Sequence, residues 1–156
     1  MAMSAVLENC LKTKGSAFEV LQHSHSYNSM STAEAAHIPG DRLAKTVILQ
    51  DDAGFAAAVL PSTHHLRLSE IRDMTGRPLV LANENEVREL FKDCELGALP
   101  PVTTAYGMTT YLDESLTQQP DVYFEAGDHE KLIHMRTEQF LDLMEDATRI
   151  RCAHRM

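Results

Sequence analysis

One nine-residue segment of the chain has residue types that could hold a carbonyl oxygen or an oxyanion. Residues 93 to 101 read Asp-Cys-Glu-Leu-Gly-Ala-Leu-Pro-Pro, and we name this segment the glycine loop. Its two prolines lack backbone N–H groups and fix φ, which predicts a rigid loop instead of a helix or central strand. Gly97 has no Cβ and lets the backbone approach a ligand closely. The N–H groups near Gly97, Ala98 and Leu99 are therefore candidate donors to an oxyanion, and a plain connecting loop is the alternative.

A lysine stands at the start of an apolar strand earlier in the chain. Lys45 follows Leu43 and Ala44 and precedes the run Thr46-Val-Ile-Leu. Its ammonium group could be held over the floor of a pocket, where a low dielectric constant strengthens its attraction to a phosphate or carbonyl oxygen. The alternative is a strand-edge lysine that extends its charge into solvent.

Eight histidines raise the question of a metal site. The closest groupings are His23 with His25, His64 with His65, and His129 with His134. None has the His-Glu-x-x-His or Cys-x-x-Cys pattern of a metal site, and no glycine-rich nucleotide-binding motif is present. We therefore expect no metal and no cofactor. His129, close after Gly127, is a candidate pocket residue.

The lysine segment and the glycine loop, in this order and at this separation, resemble the YbaK/prolyl-tRNA-synthetase-associated editing domain family. The resemblance continues through Ser-Thr-Ala-Glu-Ala-Ala (31–36), Leu-Asp-Glu-Ser-Leu (112–116) and Val-Tyr-Phe-Glu-Ala-Gly (122–127). It covers roughly residues 5 to 145. Members of this family are trans-acting aminoacyl-tRNA deacylases.

The resemblance implies hydrolysis of the ester bond of a mischarged tRNA that carries a small amino acid. Lys45 coincides with the functional lysine of the family, and Gly97 lies in its loop, so these are the expected catalytic residues. The expected substrate-binding residues are Thr46, Ala98, Leu99, Pro100, Pro101 and His129. The family also relies on a ribose hydroxyl of the substrate, which would explain why no nucleophile–base pair is visible here.

The chain departs from the family pattern in one loop. Many relatives carry Phe-Gly soon after the prolines, whereas this chain has Val-Thr-Thr-Ala-Tyr-Gly over residues 102–107. Thr46 also stands where some relatives carry asparagine. The pocket size and the identity of the amino acid therefore stay open.

Composition bounds the class of protein. The chain has 156 residues, and we expect one domain over residues 1–147 and a frayed tail over 148–156. No apolar run is long enough for a bilayer, and the first residues lack a secretory signal pattern, so we expect a cytoplasmic protein with no membrane partner. Three widely spaced cysteines fit reduced thiols.

The net charge of −9 limits contact with nucleic acid. A protein that binds a duplex broadly needs a basic face, so we expect no DNA partner and only a small contact with the acceptor end of tRNA. The basic residues that could supply this contact are Arg42, Lys45, Arg67, Arg72 and Arg77. Scattered solubilising charges are the alternative. An aminoacyl-tRNA synthetase is a further candidate partner.

Helix and strand signals alternate along the chain. Ser31 and Asn83 each stand three residues before a glutamate, which is the spacing of a capping box. Residues 51–54 read Asp-Asp-Ala-Gly and predict a hairpin, and Leu79 to Ala82 predicts a buried strand. We expect an α+β fold with a mixed, curled, largely antiparallel sheet and helices packed around it.

Two functions of different classes follow from these observations. The first is trans editing of the prolyl-tRNA type, in which the chain acts as an aminoacyl-tRNA deacylase. The second is a catalytically silent module that binds tRNA ends or a synthetase. The presence of both Lys45 and Gly97 favours the enzyme.

Overall fold

The computed structural model describes residues 3–24 and 29–155, without the side chains of residues 29–31. Five α-helices lie within this range. Ser4 caps the first of them by accepting a hydrogen bond from the Leu7 N–H at 3.2 Å, and Gly15 ends it in the left-handed conformation. The helices are α1 (Ala5–Lys14), α2 (Ser29–Ala36), α3 (Leu68–Thr75), α4 (Glu84–Leu90) and α5 (Thr137–Leu143). No helix in the described range is long and apolar enough to cross a bilayer.

The described range also contains ten strands. They are β1 (Glu19–Gln22), β2 (Leu43–Asp51), β3 (Gly54–Pro61), β4 (His64–Leu66), β5 (Val80–Leu81), β6 (Thr109–Asp113), β7 (Asp121–Glu125), β8 (Lys131–Arg136), β9 (Thr148–Ile150) and β10 (Ala153–Arg155). The main sheet has the order β1-β8-β7-β2-β3-β6-β9, with β5 also paired to β2. β4 and β10 form a separate ribbon.

The sheet mixes antiparallel and parallel pairs. β2 and β3 form the predicted antiparallel hairpin, in which Asp51 accepts a hydrogen bond from the Ala53 N–H at 2.9 Å. Arg77 holds the same carboxylate through two nitrogens, each at 2.8 Å. β7 with β2, β3 with β6, and β6 with β9 are parallel. The predicted α+β fold with a mixed, mostly antiparallel sheet is confirmed.

Both faces of the main sheet are buried. On one face, Leu7 of α1 and Phe140 of α5 pack with Phe124 of β7. On the other face, Ile71 of α3 packs with Leu49 and Leu60 of the hairpin. Complete burial of one such side chain stabilises a fold by roughly 1.5–3 kcal/mol, so helices on both sides fix the position of β2.

The prediction of a frayed C-terminal tail is wrong for the described residues. β9 extends the main sheet next to β6, and β10 pairs with β4. Ile150 and Cys152 are 6% and 0% exposed. The Asp113 carboxylate accepts hydrogen bonds from the N–H groups of Cys152 and Ala153 at 2.9 and 3.1 Å. Residues 148–155 are therefore part of the folded structure.

Two local predictions also differ from the structure, and one is confirmed. Ser31 lies inside α2 and is not its N-cap. Val80 and Leu81, predicted to be buried, are 46% and 58% exposed. The second capping box is confirmed, because the Asn83 side chain accepts from the Glu86 N–H at 2.8 Å and the Glu86 side chain accepts from the Asn83 N–H at 3.0 Å.

Replacement of Ile150 tests the role of the C-terminal strands in stability. Ile150 packs with Tyr111 and Cys152, so Ile150→Ala should lower the free energy of unfolding by about 2–4 kcal/mol through lost burial and the cavity that remains. Arg149→Ala, at an exposed position of the same strand, should change it by no more than about 0.5 kcal/mol. Urea denaturation measures both, and equal values would mean that β9 is dispensable for stability.

Candidate active site

Pairing along one edge of β2 is interrupted where the candidate residues lie. β7 pairs with this edge at Leu43 and Ala44, and β5 pairs with it at Leu49 and Gln50. Of the intervening residues, Ile48 accepts a hydrogen bond from the Ala82 N–H at 3.0 Å, and residues 45–47 have no partner strand on this edge within the described range. Such an edge presents backbone N–H and C=O groups to an additional ligand. We name this interruption the open edge of β2.

Lys45 extends from the open edge toward β4. Its side chain is half-buried, and Nζ donates a hydrogen bond to the carbonyl oxygen of His64 at 2.5 Å. Burial lowers the pKa of Lys45 below its ordinary value, because a low dielectric disfavours the charged form. The ammonium group is therefore held at one place and is poorly solvated, as suits attraction to a substrate oxygen.

Thr46 points to the opposite face of the strand, since neighbouring side chains alternate in a sheet. Its Oγ1 atom is buried and has no hydrogen-bond partner among the described residues. A buried hydroxyl without a partner is costly. The predicted pair therefore divides, with Lys45 on one face and Thr46 on the other.

The glycine loop packs on the face that Thr46 occupies. Leu99 of the loop contacts the cluster of Ile48, and Ala98 is fully buried. Pro100 and Pro101 are buried as well.

Backbone hydrogen bonds fix the shape of this loop. Gly97 has φ of 81°, in the left-handed region that favours glycine. The Glu95 N–H donates to the Gly127 carbonyl at 2.8 Å, and the Ala98 N–H donates to the Glu95 carbonyl at 3.1 Å. The Ala98 N–H is thus used within the loop and is not available to an oxyanion. The N–H groups of Gly97 and Leu99 donate to no other described residue.

His129 holds the glycine loop through its backbone. It is 3% exposed and has φ of 59°, which is uncommon for a residue other than glycine. Its Nε2–H donates to the carbonyl oxygen of Leu96, directly before Gly97. The sequence placed His129 near the pocket, and in the structure it lies against the loop as a positioning group.

A polar cluster that sequence reasoning missed connects the glycine loop to α1. Asp93 accepts hydrogen bonds from the Ser4 hydroxyl at 2.6 Å and from the Tyr106 hydroxyl at 2.9 Å. Burial alone would raise the pKa of Asp93, but the bonds from Ser4 and Tyr106 outweigh it and hold the pKa below its ordinary value. Tyr106 belongs to the loop that departs from the family pattern, so this segment contributes to the support of the site.

A buried carboxyl group lies on the same face as Lys45. Parallel pairing sets Phe124 of β7 opposite Ala44, so alternation brings Glu125 to the face of Lys45. Glu125 is 3% exposed, and burial raises its pKa to about 7, although the nearby Thr32 hydroxyl opposes part of this increase. A group with this pKa can exchange a proton at neutral pH. The only sequence signal was a glutamate between apolar neighbours.

Three of the basic residues considered for a tRNA contact bind other groups of the protein. Arg42 binds Asp121 at 3.0 Å, and Arg77 binds Asp51. Arg72 donates through Nε to the Leu79 carbonyl at 2.8 Å. These three arginines therefore serve the fold, whereas Arg67 is half-exposed and lies 4.0 Å from Glu70. No three histidine, cysteine or acidic side chains are grouped around a potential metal position in the part of the chain that the structure describes.

Comparison with known proteins places this geometry among related folds. The model of a family described as the aminoacyl-tRNA editing domain matches residues 23–143. A search of curated proteins found no significant match.

Three solved structures are similar to this chain. Hypothetical protein APE2540 has a TM-score of 0.84 at 22% identity, with 96% of this chain and 99% of that chain covered. A candidate trans-editing enzyme for prolyl-tRNA synthetase has a TM-score of 0.82 at 23% identity, with 98% and 99% covered. A candidate signal-transduction protein from Marinobacter aquaeolei VT8 has a TM-score of 0.76 at 24% identity, with 97% of this chain but 31% of that chain covered. At these identities the similarity shows a shared fold.

Proposed function

We propose that this chain, which belongs to the aminoacyl-tRNA editing domain family, hydrolyses the ester bond of a tRNA that carries a wrongly attached small amino acid. The family match over residues 23–143 is the observation that carries this proposal. Family membership supports the general activity of an aminoacyl-tRNA deacylase. The similar structure of a candidate trans-editing enzyme for prolyl-tRNA synthetase supports the prolyl type of editing. We place the activity in the cytoplasm.

In the proposed mechanism, the acceptor end of the tRNA lies across the open edge of β2. From one side, the ammonium group of Lys45 attracts a phosphate or carbonyl oxygen of the substrate. From the other, the N–H groups of Gly97 and Leu99 face the developing oxyanion. One preorganised donor of this kind typically contributes on the order of 3 kcal/mol to the stability of the transition state. His129 keeps the loop in position by binding the Leu96 carbonyl.

The charge of the protein supports a small contact with the tRNA. The net charge is −9, and three of the candidate arginines are engaged by Asp121, Asp51 and the Leu79 carbonyl. Broad neutralisation of phosphates would require a basic face. A synthetase that holds the remainder of the acceptor stem is therefore a suitable partner.

Deacylation of a panel of mischarged tRNAs tests the proposal. Each tRNA carries a radiolabelled amino acid, and release of the label is followed with and without the protein. We expect release from at least one tRNA charged with a small noncognate amino acid and none from its correctly charged form. Binding without release on every member of the panel would favour the silent binding module instead.

A further inference from the structure

We propose that the carboxylate of Glu125 binds the α-ammonium group of the aminoacyl ester, so that the site accepts esters with a free amino group and rejects those in which this group is blocked or replaced. This inference rests on the proposed function, since it names the chemical group that the same site recognises in its substrate. Its basis is a buried carboxyl group that borders the open edge of β2 and has no hydrogen-bond partner among the described residues.

Glu125 lies where β7 and the open edge of β2 meet. The last pair of residues between these two strands is Ala44 with Phe124, and Glu125 directly follows that pair in β7. On its other side Glu125 pairs with Leu132 of β8, which fixes its backbone. Because side chains alternate along a strand, Glu125 extends to the face of the sheet that Lys45 also occupies. Its carboxyl group therefore borders the proposed substrate position from the β7 side.

Helix α2 covers this face of the sheet. Ala33 of α2 packs with Leu43 of β2 and with Leu132, the partner of Glu125 in β8. Glu125 is consequently only 3% exposed, and neither of its carboxyl oxygens has a hydrogen-bond partner of ordinary geometry among the described residues. A buried charge is costly unless a group of opposite charge pairs with it. This carboxyl group is therefore suited to a cationic group of a ligand.

The charges around Glu125 also favour a cation. Burial is the largest influence that raises its pKa to about 7; the Thr32 hydroxyl opposes part of this increase, and the carboxylates of Asp128 and Glu95 add to it. Asp128 is already paired with Lys131, whose Nζ atom lies 2.7 Å from its carboxylate. An ammonium group next to Glu125 would offset the repulsion by the other two carboxylates and stabilise the ionised form of Glu125.

The positive and negative groups of the site lie on opposite sides of β2. The His64 carbonyl holds the ammonium group of Lys45 toward β4, which follows β3 in the chain, whereas Glu125 belongs to β7 on the other side of β2. Glu95 connects Glu125 to the glycine loop, because its N–H donates at 2.8 Å to the carbonyl of Gly127, two residues after Glu125. In an aminoacyl ester the ammonium group is bonded to the carbon next to the carbonyl carbon. The loop donors and Glu125 are therefore placed to bind neighbouring groups of one substrate.

Binding of the ammonium group would select one class of tRNA ester over others. Peptidyl-tRNA and N-acetylaminoacyl-tRNA have an uncharged amide at the position of the ammonium group. Bound in the same way, they would leave the buried carboxyl group of Glu125 without a cation, and a buried polar group without a partner is costly. Specificity of this kind depends on an unfavourable interaction with the wrong ligand as well as a favourable one with the right ligand.

Discrimination between two matched esters tests the proposal. One is a mischarged tRNA that the wild-type protein deacylates, and the other is the same tRNA with the corresponding α-hydroxy acid, in which a neutral hydroxyl replaces the ammonium group. With each rate divided by that of spontaneous hydrolysis, wild-type kcat/KM should favour the amino acid ester by about 10- to 100-fold, the usual effect of a hydrogen bond to a charged group. Glu125→Gln should lose most of this preference. Glu138→Gln, at an exposed position of α5, should keep it.

This preference separates recognition from stability. The same preparation hydrolyses both esters, so the ratio of the two rates does not depend on the fraction of each variant that is folded. An equal preference in the wild-type protein and in Glu125→Gln would overturn the proposal. Hydrolysis of the N-acetylated ester by the wild-type protein at the rate of the free ester would also overturn it.

Carbon NMR of the Glu125 carboxyl group tests the inference apart from catalysis. The probe is adenosine with an amino acid joined to its 3′ position by a non-hydrolysable amide bond. The probe should lower the pKa of Glu125 from about 7, because its ammonium group stabilises the carboxylate, and the matching α-hydroxy probe should not. An unchanged pKa at the highest concentration of the amino probe would overturn the inference. If the wild-type protein released no label from any tRNA, the proposed function would fail, while this titration would still decide the inference.

Discussion

Lys45→Ala should lower the rate of deacylation by about 100- to 1000-fold, the range found when one electrostatic group that stabilises a transition state is removed. The ammonium group is half-buried and bound to the His64 carbonyl, so it is already in place when charge develops on the substrate. Loss of the ammonium group removes that attraction and leaves the His64 carbonyl without this hydrogen-bond donor. Single-turnover release of a labelled amino acid measures the change.

The fold should survive this substitution. Lys45 contributes one hydrogen bond to the fold, and such a bond is worth about 0.5–1.5 kcal/mol net. Lys45→Met keeps most of the apolar stem and removes only the charge, so it should be as inactive as the alanine variant and more stable. Lys12→Ala, on the exposed surface of α1, should keep the wild-type rate. A folded Lys45→Ala protein with the wild-type rate would remove Lys45 from the site.

The parts of the fold that sequence predicted depend on neighbouring residues. The hairpin follows from the turn chemistry of residues 51–54, and the helix at Glu84 follows from the capping box of Asn83 and Glu86. Both signals lie within four residues along the chain. Their energies are determined locally, which is why they can be read without tertiary information.

The C-terminal strands could not be predicted in the same way. Ile150 and Cys152 alternate with arginines, which is the period of a half-buried strand, but two apolar residues are too few to decide. Their stability comes from β6, nearly forty residues earlier, and from the Asp113 carboxylate. Val80 and Leu81 are the opposite kind of error, because their apolar character predicts burial and both are exposed in the structure. They lie in β5, which pairs only with the end of β2.

The candidate site also contains features that the sequence predicts and features that only the folded structure determines. Lys45 and the glycine loop were predicted as segments of sequence, but their placement on opposite faces of β2 follows from register and needed the structure. Glu125 acquires its raised pKa only from burial in the assembled fold.

Gly97→Val should lower deacylation by at least about 100-fold, since it is expected to displace the preorganised loop donors. Gly97 has φ of 81°, and a β-branched residue is rarely found with positive φ. Valine should therefore drive the backbone toward negative φ and rotate the N–H groups of Gly97 and Leu99. The bonds of Glu95 to Gly127 and of Leu96 to His129 hold the loop on either side, so the strain falls on the donors themselves.

Backbone strain alone must be separated from loss of the donors, and the chain offers a matched control. Gly15 ends α1 with φ of 61°, and a Cβ added there would meet nothing within 4 Å. Gly15→Val and Gly97→Val should each lose roughly 1–3 kcal/mol of stability from the same strained region of φ. Only Gly97→Val should lose activity, measured where both proteins are fully folded. Retention of the wild-type rate by Gly97→Val would show that the glycine loop is a connector, and an equal loss in Gly15→Val would attribute the effect to stability.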